Sequence, residues 1–239
     1  MKNIYLLRDS WIRNSHRNRI GRLVKLTKIL IIGGVALGPK AASRARRRDP
    51  DAEIIIIDKG DVFSYAGCGM PFYLEGKIEN IERLLGSGVG ARRDETYFKR
   101  VKDITLIGRT EAVRINRKEK TVTVKDLSTG GYRDIPYDKL VLGVGASPTI
   151  PPIEGVDLRG VFRLYNPRDA EAVRKRLEEG ANKIVIVGGG LIGLEVCGAL
   201  LSQRCSVTIL EMMDRLPPPY LIRMWRLSWK SIFERGGLR

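Results

Sequence analysis

Three groups of residues in this sequence have the types and spacing for chemistry. The first is a cysteine flanked by glycines, in Ser64-Tyr65-Ala66-Gly67-Cys68-Gly69-Met70-Pro71. Small neighbours leave the sulfur accessible, and Pro71 suits the first turn of a helix, where its missing N–H is an orphan anyway. A thiol at a helix N-terminus is partly thiolate, the nucleophilic form. The competing reading of any cysteine is a small buried hydrophobe. That is the reading for Cys197, set among apolar residues, and for Cys205, which enters an apolar run.

The second and third groups are glycine turns, Gly33-Gly34-Val35-Ala36-Leu37-Gly38 and Gly188-Gly189-Gly190-Leu191-Ile192-Gly193. A dinucleotide site uses its first glycine for a sharp turn and its second to let backbone approach a pyrophosphate. The third lets helix and strand pack closely, with the helix N-terminus facing the phosphate charge. Gly188, Gly190 and Gly193 satisfy all three. The first turn has Gly33 and Gly38, but Val35 stands where the second glycine belongs. An acid to hold a ribose follows each turn at the right distance: Asp58, 20 residues beyond Gly38, and Glu211, 18 beyond Gly193. Glu211 favours a free 2′-hydroxyl, hence NADH over NADPH, and Arg215 close by weakens that preference. A glycine turn alone also occurs for ordinary packing, so the elements around it decide.

Those elements have the required order. KILII (28–32) is an apolar run entering the first turn; 39–48 favour helix, Asp49-Pro50-Asp51 breaks it, and 53–58 (EIIIID) read as a buried strand. The pattern returns 155 residues later. KIVIV (183–187) enters the second turn, the helix-like LEVCGALLSQR follows, and CSVTILE (205–211) closes the unit. A repeat at this spacing implies two nucleotide-binding units in tandem rather than a solenoid. Between them, 121–145 alternate and turn at 128–131, which predicts antiparallel strands. Pro148, Pro151 and Pro152 mark a linker, and 169–180 read as an amphipathic helix ending at a glycine. The expected fold class is α/β, with two Rossmann-like dinucleotide-binding domains in tandem at 26–150 and 151–221, the second one truncated.

Composition narrows the classes. The 239 residues are 43% apolar, enough for a large core, and no apolar stretch reaches the roughly 20 residues that span a bilayer. Three irregularly spaced cysteines exclude a disulfide scaffold and a zinc ribbon, and a single histidine excludes a histidine-rich metal site. A cytoplasmic, reducing compartment is the default. The net charge of +16 concentrates at the ends: residues 1–25 hold seven Lys and Arg against one acid, and 222–239 hold five against one. Without interleaved aromatics in the middle region, nucleic-acid binding is not expected.

KILIIGGVALG, EIIIIDKG, SYAGCGMPFYLEGKI, YDKLVLGVGASP and IVIVGGGLIGLE together resemble the FAD-dependent pyridine nucleotide–disulfide oxidoreductases. The similarity is greatest to the single-cysteine branch of coenzyme A-disulfide reductases and NADH oxidases or peroxidases, and it covers about 26–221. The resemblance implies an electron relay from NADH through FAD to sulfur at Cys68. It implies that Gly33, Gly34, Val35, Gly38, Asp58, Lys59, Gly145 and Ala146 hold FAD, and that Gly188, Gly190, Gly193, Glu195 and Glu211 hold NADH. Related reductases carry a second cysteine where Ser64 stands. The resemblance therefore implies that Cys68 forms a mixed disulfide with a substrate thiol, or cycles through a sulfenic or persulfide state. It also places an anionic coenzyme A near Lys40, Arg44 and Arg47, with Ser64 and Gly67 beside the cysteine. Equally open is a solvated helix face for Arg44, Arg46, Arg47 and Arg48. Some relatives carry asparagine at the position of Gly67, and GVGASP departs from their commoner ATGASP through Gly143 and Val144. Oxygen, peroxide or polysulfide are alternative acceptors. An inactive remnant and a basic-tailed binding protein are the readings outside this enzyme class.

Relatives of this kind are longer and are expected to be homodimers through a dimerisation domain that has no counterpart here. Read one base early from the third base of the Leu221 codon, with permitted codons, the tail becomes DPDVAAVVEKYFRERGLE, an amphipathic helix without tryptophan. A frameshift after Leu221 is the expectation. The opposing reading takes 222–239 literally, as a helix with Ile222, Trp225, Trp229, Ile232 and Phe233 on one face, suited to an anionic membrane or an acidic partner. Residues 1–25 read first as untranslated sequence ahead of a start near Leu26, and second as an organellar transit peptide.

Overall fold

A computed structural model of the chain describes residues 26–213. The readings for 1–25, for Arg215 and for 222–239 lie outside the described residues. In chain order, β1 (Lys28–Ile32) leads through the first glycine turn into α1 (Leu37–Arg48) and β2 (Glu53–Ile57). A single 3-10 turn at Gly67–Gly69 opens α2 (Met70–Leu74), and α3 (Glu82–Leu85) and α4 (Glu95–Lys102) lead to β3 (Thr105–Ile107). Then come β4 (Thr110–Asn116), β5 (Thr121–Asp126), β6 (Tyr132–Pro136) and β7 (Lys139–Leu142). Residues 143–166 form neither helix nor strand. The second unit is α5 (Pro167–Glu178), β8 (Lys183–Val187), α6 (Leu191–Ser202) and β9 (Ser206–Leu210).

The first core is a four-stranded parallel sheet in the order β3-β2-β1-β7. Its central strands are continuous apolar runs because a parallel sheet is covered on both faces. Successive side chains point to opposite faces, so the four isoleucines of β2 serve two clusters. Ile54 and Ile56 pack with Ile31, Ala42, Phe98 and Leu106 on the side of α1 and α4. Ile55 and Ile57 pack with Leu30, Ile32, Val122, Val124 and Ile135 on the side of the antiparallel sheet β4-β5-β6. Each fully buried isoleucine contributes roughly 1.5–3 kcal/mol, which makes this sheet the rigid base of the first glycine turn.

The antiparallel expectation for 121–145 is met by β5 and β6, paired from Thr121↔Pro136 to Lys125↔Tyr132. It fails for β7, which runs parallel to β1 from Ile29↔Lys139 to Ile32↔Leu142. Alternation does not encode strand direction. What sends the chain back is Asp138, whose N–H donates to the Lys28 carbonyl while its carboxylate accepts from the Lys28 N–H, both at 2.8 Å. Helix boundaries also move slightly: α1 begins two residues earlier than expected, and α5 spans 167–178 rather than 169–180.

In the second unit β8 and β9 pair in parallel from Lys183↔Ser206 to Val187↔Leu210. Helix α6 is apolar nearly all round because it serves two cores. Cys197 and Leu200 pack with Cys205 and Val207 from its own sheet. Ala199 joins Met70, Tyr73 and Leu74 of α2, Leu84 of α3 and Ala170 of α5.

The two turns are built alike. A Cβ on Gly38 would lie 1.8 Å from the Gly33 carbonyl oxygen, and one on Gly193 would lie 2.1 Å from that of Gly188. Gly33 and Gly188 themselves have φ of +110° and +106°, a region side chains disfavour. A Cβ on Gly190, by contrast, would meet nothing within 4 Å. Gly193→Ala is expected to destabilise the fold by about 3 kcal/mol, and Gly190→Ala to stay within about 1 kcal/mol of the parent. Urea unfolding of both variants checks this pair; equal losses would contradict the packing role of the third glycine.

Candidate functional site

The Gly34 peptide unit gathers the first site. Its N–H donates to Asp58 Oδ2 at 2.5 Å, and its carbonyl accepts from the Ser64 N–H at 2.9 Å. The other oxygen of Asp58 accepts from Gly60 N at 2.7 Å. An ionised carboxylate offers about four acceptor positions, so Asp58 retains room for hydroxyl donors. Lys59, beside it, is exposed. Gly143 lies against the turn: a Cβ on Gly33 would fall 2.0 Å from its carbonyl. The chain then passes through the exposed Val144, Gly145 and Ala146, with Gly145 at φ +65°. Val35 is half-buried at the position that Gly190 occupies in the second turn.

The cysteine segment hangs from this turn. Ser64, at φ +49°, is tied to Gly34 and gives its carbonyl to Arg93 Nη1 at 2.8 Å. Ala66 N–H donates to the Leu84 carbonyl, and a Cβ on Gly69 would sit 2.4 Å from Leu84 Cδ2, so α3 presses on the turn from behind. Cys68 itself is exposed, whereas Cys197 and Cys205 are buried and burial pushes both of their thiols up. Among the described residues, a Cβ on Gly67 would meet only Tyr65, at 3.8 Å. Burial pushes the Tyr65 hydroxyl up to about 12, with Tyr165, Asp58 and Asp169 adding to the rise, so it stays protonated at neutral pH. Pro71 is the second residue of a helix of only five.

The second turn repeats the latch. Gly189 N–H donates to Glu211 Oε2 at 2.7 Å, as Gly34 does to Asp58. Glu211 Oε1 accepts from Met212 and Met213 N–H. The bonds from Met213, Gly189 and Met212 hold its carboxyl below the usual range, against the effect of burial. Glu195 is exposed on α6, two residues past Gly193.

The helices that leave these turns differ from α4 and α5. Asp94 caps α4 and Asn166 caps α5 with a capping box. Neither α1 nor α6 has a side-chain cap or an acid in its first turn. Their leading N–H groups and positive dipole ends are thereby left to whatever lies at the turn, which suits a phosphate. The donor set thus fits a dinucleotide at both turns.

On α1, Lys40, Arg44 and Arg47 lie along one exposed stripe, and none pairs with an acid among the described residues. Arg46 differs. Its guanidinium donates to the Pro50 and Asp103 carbonyls and pairs with the Asp103 carboxylate at 3.5 Å, so the four arginines are not one solvated face.

Three contacts had no local signal in the sequence. Tyr165 donates its hydroxyl to the Ala146 carbonyl at 2.5 Å. Asp61 bridges Arg168 of α5 at 2.6 Å and Arg109 at 3.3 Å, tying the start of the second unit to the first. Their partners lie 19, 107 and 48 residues away in sequence.

Two acid-latched glycine turns in tandem, with an exposed thiol on the segment tied to the first, define a tandem dinucleotide-binding type of fold. Residues 27–237 match the pyridine nucleotide-disulphide oxidoreductase family, and the chain belongs to it. Members of this family are FAD-dependent oxidoreductases that draw electrons from NAD(P)H. The chain is 34% identical over 213 residues to an NADH oxidase of Methanocaldococcus jannaschii, covering 89% of this chain and 46% of that protein. It is 34% identical to a coenzyme A disulfide reductase of Staphylococcus haemolyticus, covering 80% and 42%. A solved NAD-dependent persulfide reductase of A. fulgidus superposes with a TM-score of 0.82 at 39% identity, covering 89% of this chain and 39% of that one. The chain therefore spans less than half the length of these relatives.

Arg168 and, less strongly, Arg109 hold the Asp61 carboxyl below its ordinary value of 3.8, against a smaller opposing effect of burial. A carboxyl depressed in the folded state adds stability that is present above its unfolded pKa and is lost as pH falls through the lower folded value. The arginines are mostly exposed, so the link is worth at most about 1 kcal/mol. Asp61→Asn is expected to be less stable than the parent at pH 7, with the gap closing below about pH 4. Thermal unfolding of both proteins from pH 3 to 8 measures it; a pH-independent gap would contradict the ion pair.

Proposed function

We propose that this chain carries the FAD- and NADH-binding units of a flavoenzyme that reduces disulfide or persulfide sulfur at Cys68, of the coenzyme A-disulfide reductase kind. The observation that carries this reading is the Ser64 N–H to Gly34 carbonyl bond, which suspends the one exposed cysteine among the described residues from the first glycine turn. Residues 26–150 are assigned to FAD and 151–221 to NADH. Gly33, Gly34, Val35 and Gly38 shape the first turn, Asp58 takes a ribose hydroxyl, and Lys59, Gly145 and Ala146 line the approach. At the second turn Gly190 leaves open space for a pyrophosphate, with Gly188 and Gly193 fixing the loop and Glu195 nearby on the helix. Glu211 has spent three acceptor positions on backbone N–H groups and would repel a 2′-phosphate, which favours NADH over NADPH.

Bound FAD would supply two-electron redox chemistry, linking hydride from NADH to reduction of sulfur. The protein's own part is sulfur exchange. The Cys68 thiolate attacks one sulfur of a substrate disulfide; the S–S bond breaks, a mixed disulfide forms, and the departing thiolate takes a proton. Ser64 has no thiol to resolve that bond; FAD held at the first turn would supply the electron pair that releases the second thiol. Lys40, Arg44 and Arg47 offer an exposed cationic stripe for the phosphates of a coenzyme A substrate, with Ser64 and Gly67 beside the sulfur. The name of the M. jannaschii relative supports a second reading, in which oxygen is the acceptor.

Cys68→Ser is expected to lower NADH-dependent reduction of coenzyme A disulfide at least a hundredfold while leaving the Kd for NADH within twofold. Steady-state assays and NADH titration on the purified chain check both values. Undiminished disulfide reduction by the variant would remove Cys68 from the chemistry. Oxygen consumption without disulfide reduction in the parent would favour the oxidase reading.

A further inference from the structure

The glycine turn holds only the leading side of the cysteine segment. Its trailing side is gripped by side chains of the second unit. Arg174, on α5, donates through one nitrogen, Nη1, to the carbonyls of Tyr73, Ile78 and Glu79 at 3.2, 3.0 and 3.3 Å. One nitrogen has two hydrogens, so at least one hydrogen is shared among the three acceptors. The guanidinium stands 4.5 Å from the Tyr73 ring centroid, and Nε pairs with Glu178 at 3.1 Å, which fixes the plane of the group. Gln203, just beyond α6, donates to the Glu75 carbonyl. These bonds fall where α2 ends: Gly76 follows at φ +85°, and the Glu75 and Gly76 N–H groups close back on Pro71 and Tyr73.

We infer that Arg174, assisted by Gln203, is a positioning residue for Cys68. Helix α2 has only five residues and no side-chain cap at its start, so it has little rigidity of its own. Four carbonyls in and after it are held by two side chains from helices of the other unit. Below them, Tyr73 and Leu74 pack against Ala170 and Ala199 of the same two helices. The 3-10 turn bearing Cys68 adjoins α2 directly, so whatever fixes the direction of α2 aims the thiol. A lysine would keep the charge but lose the plane that stacks on Tyr73 and the separate Nε donor that pairs with Glu178.

This inference rests on the reading of Cys68 as the redox sulfur, but it is tested through position rather than turnover. The probe is iodoacetamide. The rate of Cys68 carbamidomethylation in the native full chain is followed by peptide mass spectrometry from pH 6 to 9, with Cys197 and Cys205 as buried references. Arg174→Gln is expected to change the Cys68 rate at least fivefold and alter its pH dependence, leaving Cys197 and Cys205 protected. Arg174→Lys should fall between the variant and the parent. Arg176→Gln, which removes a charge paired among the described residues with Glu179 at the end of α5, should leave the rate within twofold. A folded Arg174→Gln protein with an unchanged Cys68 rate overturns the inference. So does a parallel rise at Cys197 and Cys205, which would mark general loosening. Should Arg174→Gln not fold, Gln203→Ala is read by the same criteria. Failure of the functional reading would be seen separately, as disulfide reduction that survives Cys68→Ser.

Discussion

Gly34 is held on three sides. Its N–H is bound by Asp58, its carbonyl by Ser64, and a Cβ on it would come within 3.3 Å of both the Asp58 side chain and the Phe63 ring. Through that peptide unit the end of β1, the end of β2 and the cysteine segment meet. The geometry tolerates little adjustment, because β1 and β2 beneath it are buried on both faces and packed interiors do not deform continuously. A ligand seated on the turn and a thiol hung from it are therefore placed by the same few bonds. That shared support makes a redox role for Cys68 physically economical.

The second turn shows what is common and what is particular. Both turns latch the peptide after the first glycine to an acid at the end of the next strand, and both press helix to strand through a glycine at the sixth position. Both helices are left uncapped by side chains, in contrast to α4 and α5. They differ at the third position, where Val35 faces Gly190. On the proposed reading, the open space at Gly190 among the described residues is kept for a ligand rather than required by packing. The contrast with Gly193, where packing alone forbids a side chain, separates the two uses of glycine within six residues.

Much of this was legible in the sequence because its signals are local. Five apolar residues, a glycine turn and a helix-favouring run specify β1–α1 and β8–α6, and strands that must be buried on both faces announce themselves as KILII and EIIII. The place of Asp58 and Glu211 just past the second strand of each unit was legible because their distance from the turn is set by the length of one helix and one strand; their latch onto Gly34 and Gly189 was not. Strand direction at β7 was not, since alternation is the same for parallel and antiparallel pairing and the deciding bonds come from Asp138, 110 residues from Lys28. Arg174, Gln203, Asp61 and Tyr165 were invisible for the same reason. A lone arginine on an amphipathic helix reads as a solvated face until the carbonyls of Tyr73, Ile78 and Glu79, about 100 residues earlier, are seen beneath it.

The most direct measurement is the protection of Cys68 by ligand at the first turn. The purified chain is titrated with FAD, and alkylation of Cys68 is timed at each concentration against an equal series of NADH. If the thiol and the first turn share one support and one ligand, saturating FAD slows Cys68 alkylation at least tenfold, with a midpoint equal to the Kd from flavin fluorescence. Cys68 reacting at the same rate with FAD bound as without it would contradict the placement of the redox sulfur at that site.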